Sequence, residues 1–194
     1  MVKALLVVDV QRDFCPGGSL AVPDGDVVAT RISRWLRDHR DEYQLVVTTL
    51  DWHPAPGSTP GFEHFSATPD YIETWPPHCV QGSEGAQLHP NLQLPDGIVE
   101  VRKGQVDAAY SGFEGADSAG TPLADVLQDE SVDSVDVVGL ATDYCVRATA
   151  LDALAHGFHV RVMTDLVAGV AEGTTRQALV DMREAAVELV DSSI

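Results

Sequence analysis

The chain has 194 residues, of which 44% are hydrophobic and 22% are charged, so its size and composition allow one domain to bury a sizeable core. Its formal net charge of -18 at pH 7 opposes binding to nucleic-acid phosphates and to anionic lipid head groups, because like charges repel. We therefore expect one domain over residues 1–194, with neither a nucleic-acid partner nor a membrane partner.

Targeting signals and cysteine spacing point to a cytoplasmic protein. The first apolar run, residues 4–8, is shorter than a signal-peptide core, and Asp9 follows it instead of a small-residue cleavage site. Cys15, Cys79 and Cys145 form neither an even disulfide set nor a paired CxxC zinc pattern, which fits a reducing compartment. The sequence leaves open whether the protein is a monomer or a small homo-oligomer.

Short apolar, β-branched runs predict strands that are covered on both faces, as in a parallel sheet. The predicted strands are residues 4–10, 45–50, 97–101, 135–140, 159–163 and 186–190. Helical periodicity lies between them, at residues 26–38, 122–128, 143–156 and 174–185. This alternation predicts an α/β fold with right-handed crossovers and helices on both faces of the sheet.

Residues 51–95 have no convincing period and are rich in Pro, Gly, His and Trp, which is unusual inside a compact domain unless the segment carries function. The segment supplies one carboxylate and three imidazoles, from Asp51, His53, His64 and His78. Such nitrogen and oxygen ligands suit Zn, Fe or Mn. The spacing matches no standard zinc motif, so surface histidines remain the alternative to a metal-binding loop region.

Polar residues also follow the carboxyl ends of the predicted strands, where open α/β sheets bind their ligands. Asp9 ends the first strand, Lys103 follows the third, and Cys145 lies just past the fourth. A thiol in the first helical turn is favoured as thiolate by the helix dipole, so Cys145 is a candidate nucleophile. The alternative for Cys145 is a small buried hydrophobe.

Asp9 and Lys103 are candidate partners of this thiol. Asp9 can act as a general base, or it can cap a neighbouring loop through backbone amides. Lys103, in a chain where lysine is scarce, would lower the pKa of both Asp9 and Cys145 and stabilise negative charge on a substrate, unless it is an ordinary solvated lysine. Phe14, Trp75 and Tyr144 either belong to the core or line a pocket for a flat heteroaromatic ring.

Five segments carry a resemblance to a known family. They read VVDVQRDFCPGGSL at residues 7–20, DWH at 51–53, WPPHCV at 75–80, AYSGFE at 109–114 and GLATDYCV at 139–146. Together they resemble the nicotinamidase (pyrazinamidase) branch of the isochorismatase-like cysteine hydrolases. The resemblance implies a three-layer α/β/α fold whose six-stranded parallel sheet has the order 3-2-1-4-5-6.

The resemblance also implies an activity. Members of this branch hydrolyse nicotinamide to nicotinate and ammonia, a step of NAD salvage, and pyrazinamide to pyrazinoate, through a cysteine thioester. Asp9, Lys103 and Cys145 match the family's catalytic triad. The ligands of one divalent metal ion (Zn, Fe or Mn) would be Asp51, His53, His64 and His78.

The resemblance extends to the substrate pocket. Leu140-Ala141 matches a cis peptide that turns the amides of Ala141 and Cys145 toward an oxyanion. The substrate-binding residues implied are Phe14, Trp75, Leu140, Ala141 and Tyr144. Two alternatives remain: another amidase of the superfamily that acts on a carbamoyl or ureido substrate without needing the metal, and a catalytically silent metal-binding or interaction protein.

Overall fold

The computed structural model describes residues 1–62, 64–72 and 74–193, so that the predicted loop at 51–95 is described apart from Glu63 and Glu73. The strands are β1 Lys3–Val8, β2 Leu45–Asp51, β3 Val99–Lys103, β4 Ser134–Leu140, β5 His159–Ala168 and β6 Glu188–Val190. The α-helices are α1 Gly25–His39, α2 Leu123–Asp129, α3 Arg147–Ala155 and α4 Glu172–Glu184. None of the helices in these described ranges is long and apolar enough to cross a membrane.

The strands form one six-stranded sheet of order β3-β2-β1-β4-β5-β6, and every neighbouring pair is parallel. Helix α1 packs on one face of this sheet, whereas α2, α3 and α4 contribute buried residues to the core on the other. The predicted α/β class, the three layers and the strand order are therefore confirmed.

The central strand β1 shows why its apolar run is continuous. Ala4, Leu6 and Val8 enter the core cluster beneath α2 and α3, while Leu5 and Val7 enter the cluster beneath α1. Successive side chains of a strand point to opposite faces, so a strand with helices on both sides has no solvent-facing position.

Several predicted boundaries differ from the structure. Strand β1 ends at Val8 because Asp9 has a φ of 47°, outside the β region. Strand β3 lies two residues later than predicted and includes Lys103. Strand β6 begins only at Glu188, since Ala186 has a φ of 76°.

The largest error in the strand predictions concerns β5, which was predicted to end at Met163 and continues to Ala168. An irregularity between Val137 and Gly139 of β4 shifts the register, and the second half of β5 then pairs with Gly139 and Leu140. Gly139 has a φ of 115°, and a Cβ there would lie 2.1 Å from the Val8 carbonyl oxygen. Only glycine allows this close approach of β4 to β1.

The predicted helix at 143–156 is two elements. A π-helical turn, Thr142–Val146, precedes α3, and the Val146 N–H donates to the Ala141 carbonyl oxygen at 3.1 Å. Cys145 therefore lies in a π-helical turn at the entrance to α3, and such turns are frequent at functional sites.

A buried polar network joins β4 to β5 and to the segment before β2. Asp136 of β4 is fully buried and accepts two hydrogen bonds from the Arg161 guanidinium, both at 2.6 Å, and one from the Tyr43 hydroxyl at 2.8 Å. Burial raises the pKa of Tyr43, and the neighbouring Asp136 carboxylate adds to the shift, so the phenol stays protonated and donates. A buried carboxylate with these charge-assisted bonds stabilises the fold only while its partners remain.

Asp136→Asn should lower the free energy of unfolding by about 2 kcal/mol, because the amide loses the paired acceptor geometry that the guanidinium and phenol require. Urea unfolding measures the change. Asp38→Asn, on the exposed side of α1, is the matched control and should stay within about 0.5 kcal/mol of the parent protein. Equal stability of the two variants would contradict the importance of the network.

Candidate active site

The carboxyl ends of four neighbouring strands bring the predicted reactive residues to one edge of the sheet. Asp9 follows β1, Asp51 ends β2, Lys103 ends β3, and Cys145 lies in the turn after β4. Asp51 and Lys103 are direct partners in the parallel register of β2 and β3. The sheet order thus places residues that are far apart in sequence beside one another.

Lys103 lies at the centre of this cluster and contacts each of its other members. Its side chain is fully buried, and its Nζ lies 3.0 Å from Asp9 Oδ2 and 3.6 Å from Cys145 Sγ. It also forms an ion pair with Asp51 Oδ1 and donates to the Ala109 carbonyl oxygen at 3.1 Å. The two carboxylates raise the pKa of Lys103 well above its usual value against the effect of burial, so the ammonium keeps its charge.

Asp9 and Cys145 respond mainly to burial. Burial raises the pKa of Asp9 in spite of the opposing effect of Lys103, and it raises the pKa of Cys145 well above its usual value. Lys103 lowers the pKa of both groups, as expected, but burial outweighs this effect and the net shift of each pKa is upward. A protonated thiol needs a base within reach, and the Asp9 and Asp51 carboxylates lie within 4.8 Å of the thiol sulfur.

Three histidines form a second cluster next to the first. Ring nitrogens of His53, His64 and His78 lie within 4.8 Å of one another. His53 Nδ1 donates to the Gly104 carbonyl oxygen at 2.9 Å, and His78 Nδ1 donates to the Pro76 carbonyl oxygen at 2.8 Å. Because a carbonyl only accepts, these bonds place a ring hydrogen on Nδ1, so that in the neutral imidazole the free lone pair is on Nε2.

Asp51 joins the two clusters. One carboxylate oxygen pairs with Lys103, and the other lies 3.5 Å from His53 Nε2 and 3.9 Å from His78 Nε2. Burial alone would raise the pKa of Asp51, but the neighbouring ammonium and imidazoles lower it below its usual range. The carboxylate is therefore charged, and one of its oxygens faces the histidines.

The residues of this second cluster fit a metal ion. His53 Nε2 is buried and has no hydrogen-bond partner among the residues that the structure describes, which is costly for a polar atom unless it binds something. Burial, helped by the neighbouring His53 and His78, lowers the pKa of His64 to about 4, and burial also lowers the pKa of His78. Neutral imidazoles and a carboxylate are ligands for Zn, Fe or Mn, so these side chains are positioned for metal binding.

Both clusters open on a cavity of about 290 Å³. Of the residues that the resemblance implied for substrate binding, four line it: Phe14, Trp75, Ala141 and Tyr144. The Trp75 and Tyr144 rings meet edge to face, with centroids 5.4 Å apart. Leu140 does not line the cavity, because its side chain lies fully buried in the core beneath α1. The peptide bond between Leu140 and Ala141 is cis, as the resemblance implied.

Sequence reasoning missed several residues that shape the site. Tyr71 and Tyr110 also line the cavity, and the segment at 109–114 that carried the resemblance contained a signal for Tyr110. The Thr49 hydroxyl donates to Asp9 Oδ1 at 2.6 Å. Gln11 exchanges hydrogen bonds with the backbone of Asp51, each at 2.9 Å. No pattern in the sequence predicts the contacts of Thr49 and Gln11, because each depends on the pairing of β1 with β2.

Comparison with known proteins agrees with this geometry. The chain matches the isochorismatase domain family over residues 3–193, and it belongs to that family. It is 53% identical over 191 residues to a nicotinamidase/pyrazinamidase of Mycobacterium tuberculosis, covering 98% of this chain and 100% of the relative.

Solved structures are similar over almost the whole chain. The pyrazinamidase of Pyrococcus horikoshii in complex with zinc has a TM-score of 0.85 and 39% identity, covering 98% of this chain and 99% of its own. PnC1 from L. infantum in complex with nicotinate has a TM-score of 0.81 and 35% identity, covering 99% of this chain and 93% of its own.

The contact between Gly104 and His53 gives a test of the histidine cluster. A Cβ at Gly104 would lie 2.4 Å from His53 Cε1, so Gly104→Ala should displace the imidazole and weaken metal binding by about 10- to 100-fold. Metal content after dialysis against a graded chelator series measures this affinity.

Gly97→Ala is the matched control for Gly104→Ala. Gly97 has a φ of 77°, close to the 73° of Gly104, but a Cβ there meets no atom of a described residue within 4 Å. Both variants carry the same backbone strain, and only one of them clashes with a candidate ligand. Equal metal affinity in the two would remove His53 from the coordination shell.

Proposed function

We propose that this protein is a nicotinamidase, which hydrolyses nicotinamide to nicotinate and ammonia and pyrazinamide to pyrazinoate. One observation carries the proposal: a buried acid, ammonium and thiol share Asp51 with a cluster of three histidines, and both clusters open on one cavity lined by aromatic rings. The similarity to a nicotinamidase/pyrazinamidase along nearly the whole chain supports it.

Cys145 is the nucleophile in this proposal. Asp9 accepts the thiol proton as the sulfur attacks the carboxamide carbon, and the raised pKa of Asp9 makes it a stronger base than an exposed carboxylate. The charged Lys103, 3.6 Å from the sulfur, stabilises the thiolate as it forms. Burial keeps water from weakening these interactions.

The carbonyl oxygen becomes an oxyanion when the sulfur attacks. We assign its stabilisation to the backbone amides of Ala141 and Cys145, since backbone donors aimed at a developing charge typically contribute about 3 to 4 kcal/mol each. Asp9 then gives its proton to the departing nitrogen, the C–N bond breaks, and ammonia leaves a thioester on Cys145. Water, deprotonated by Asp9, attacks the thioester; the C–S bond breaks, the proton held by Asp9 returns to the sulfur, and the nicotinic acid formed loses its remaining proton to solvent as nicotinate.

In this proposal the substrate ring lies between Cys145 and the aromatic side chains that line the cavity. Phe14, Trp75 and Tyr144 offer flat apolar surfaces, and ring stacking contributes about 0.5 to 1.5 kcal/mol per pair beyond burial. Leu140 contributes through the peptide that it forms with Ala141, since its own side chain is in the core.

We assign Asp51, His53, His64 and His78 as the ligands of one divalent ion, Zn, Fe or Mn. Such an ion, when bound, supplies a Lewis-acidic partner for a ring nitrogen of the substrate. Asp51 and the Nδ1 bonds of His53 and His78 to backbone carbonyls orient the ligand atoms before any ion binds. In this proposal the partner is a small molecule, and neither nucleic acid nor a membrane takes part.

We further propose a cytoplasmic protein, either a monomer or a small homo-oligomer, built as one hydrolase domain over residues 1–194. Its metal-binding loop region, residues about 51–95, supplies three of the four proposed ligands beyond the end of β2. The three free cysteines support the assignment to a reducing compartment.

Ammonia release from a substrate panel tests the activity. The purified protein should release ammonia from nicotinamide and pyrazinamide and contain close to one equivalent of Zn, Fe or Mn. Ammonia from small ureido compounds alone, with full activity after the metal is removed, would instead indicate another amidase of the family. A lack of ammonia from every amide would indicate a silent metal-binding protein.

Cys145→Ala should reduce turnover at least about 1,000-fold and leave the metal content unchanged, because the thiol is the nucleophile and not a ligand in this proposal. Cys15→Ala, a buried cysteine outside the cavity, is the control and should keep most of the parent activity. Steady-state ammonia assays and metal analysis of the same samples measure both effects. Substantial activity in the Cys145 variant would reject covalent catalysis.

A further inference from the structure

We infer that Asp143 is a positioning residue for the nucleophile: its carboxylate ties the turn that carries Cys145 to the N-terminus of α4. The consequence for catalysis rests on the proposed function, but the geometry does not. Asp143 belongs to the turn Thr142–Val146 and precedes Cys145 by two residues.

The Asp143 carboxylate accepts three hydrogen bonds from described residues of the segment before α4 and of its first turn. Oδ1 accepts from the Val170 N–H at 3.0 Å, while Oδ2 accepts from the Ala171 N–H at 3.4 Å and from the Thr174 hydroxyl at 2.5 Å. The residue at the N-cap position of α4 is Ala171, whose side chain cannot accept a hydrogen bond. The two amides that bond to Asp143 precede α4 and the hydroxyl lies in its first turn, so Asp143 places its carboxylate near the positive end of the helix dipole.

The same carboxylate connects two walls of the cavity. Cys145 and Tyr144 line the cavity from the turn after β4, and Val170 lines it from the segment after β5. Within the turn, the N–H groups of Tyr144 and Val146 both donate to the Ala141 carbonyl oxygen. The hydrogen bonds that Asp143 accepts hold this turn to the segment before α4. They thereby fix the position of the Cys145 thiol relative to Lys103 and Asp9.

Gly169 shows how tightly the two segments meet. A Cβ at this position would lie 1.8 Å from Thr175 Oγ1 and 3.1 Å from Asp143 Oδ1. No side chain fits between the α4 segment and the carboxylate, so the contact is a close one. Misplacing a reacting group by about 1 Å can reduce a rate by about 100-fold, and a contact that holds a nucleophile's turn is therefore expected to affect reactivity.

Alkylation of the Cys145 thiol by iodoacetamide tests the inference without any amide substrate. In the full-length protein, well below its unfolding temperature, Asp143→Ala should lower the rate of Cys145 labelling about tenfold, as followed by peptide mass spectrometry. Asp143→Asn retains one acceptor oxygen and should recover part of this loss. A parent-like rate in Asp143→Ala would overturn the inference.

Asp117→Ala is the matched control. Asp117 also accepts backbone hydrogen bonds, from Ala119 at 2.8 Å and Thr121 at 2.9 Å, in a turn that does not line the cavity. The rate of Cys145 labelling in this variant should stay within about twofold of the rate in the parent protein. An equal loss of labelling in both variants would mean a general loss of stability, and it would overturn the positioning role.

Thr174→Val provides a milder change if Asp143→Ala does not fold. It removes the hydroxyl donor to Asp143 and should lower the labelling rate about threefold, and an unchanged rate would contradict the inference. In ammonia assays, the Asp143 variants should lose kcat while KM stays within about twofold. If no form of the protein, the parent included, releases ammonia, the proposed function fails, and the labelling rates still decide the role of Asp143.

Discussion

The site depends on the ion pairs that the buried Lys103 ammonium forms with two carboxylates. The ammonium lies between the Asp9 and Asp51 carboxylates, and all three side chains are withdrawn from water. Two carboxylates at this distance would repel strongly in a low-dielectric interior, so the cation is what allows both to remain close to the thiol. The parallel register of β2 with β3 brings Lys103 beside Asp51, which makes the order of the sheet a requirement of the chemistry.

Asp51 gives the site two halves with different environments. Toward Lys103 it belongs to an ionic cluster that can move a proton and stabilise charge, and toward His53 and His78 it faces a cluster of imidazoles. The pKa of Asp9 is raised and that of Asp51 is lowered, although both carboxylates are buried beside the same lysine. His53 and His78 favour the charged form of Asp51, whereas the Asp51 carboxylate opposes a charge on Asp9. Two carboxylates with pKa values moved apart in this way suit different tasks, a base in one case and a ligand in the other.

The sequence predicted most of the fold because both faces of the sheet are covered. The unbroken apolar run of β1 and the helical periods between strands indicate a doubly covered parallel sheet, and local residue types suffice for that inference. The extension of β5 was missed since Thr164 and Asp165 are polar, whereas in the structure Thr164 bonds to the Val190 carbonyl oxygen across the sheet. The sequence predicted the site residues that lie at strand ends or in recognisable motifs. It could not predict the direction in which the pKa of Cys145 shifts, because burial is a property of the assembled core.

The two-sided role of Asp51 has a thermodynamic consequence. Anything that binds beside the histidines and prefers one orientation of the Asp51 carboxylate changes the environment of Lys103 through the opposite oxygen. Any change around Lys103 acts in turn on the histidine side of Asp51. Thermodynamic linkage requires the two effects to be equal in free energy. If binding beside the histidines changes the ionisation constant of the Cys145 thiol by some factor, ionisation of the thiol changes the binding constant by the same factor. In the proposed enzyme, one side chain thereby couples the affinity for an ion to the ionisation of the Cys145 thiol.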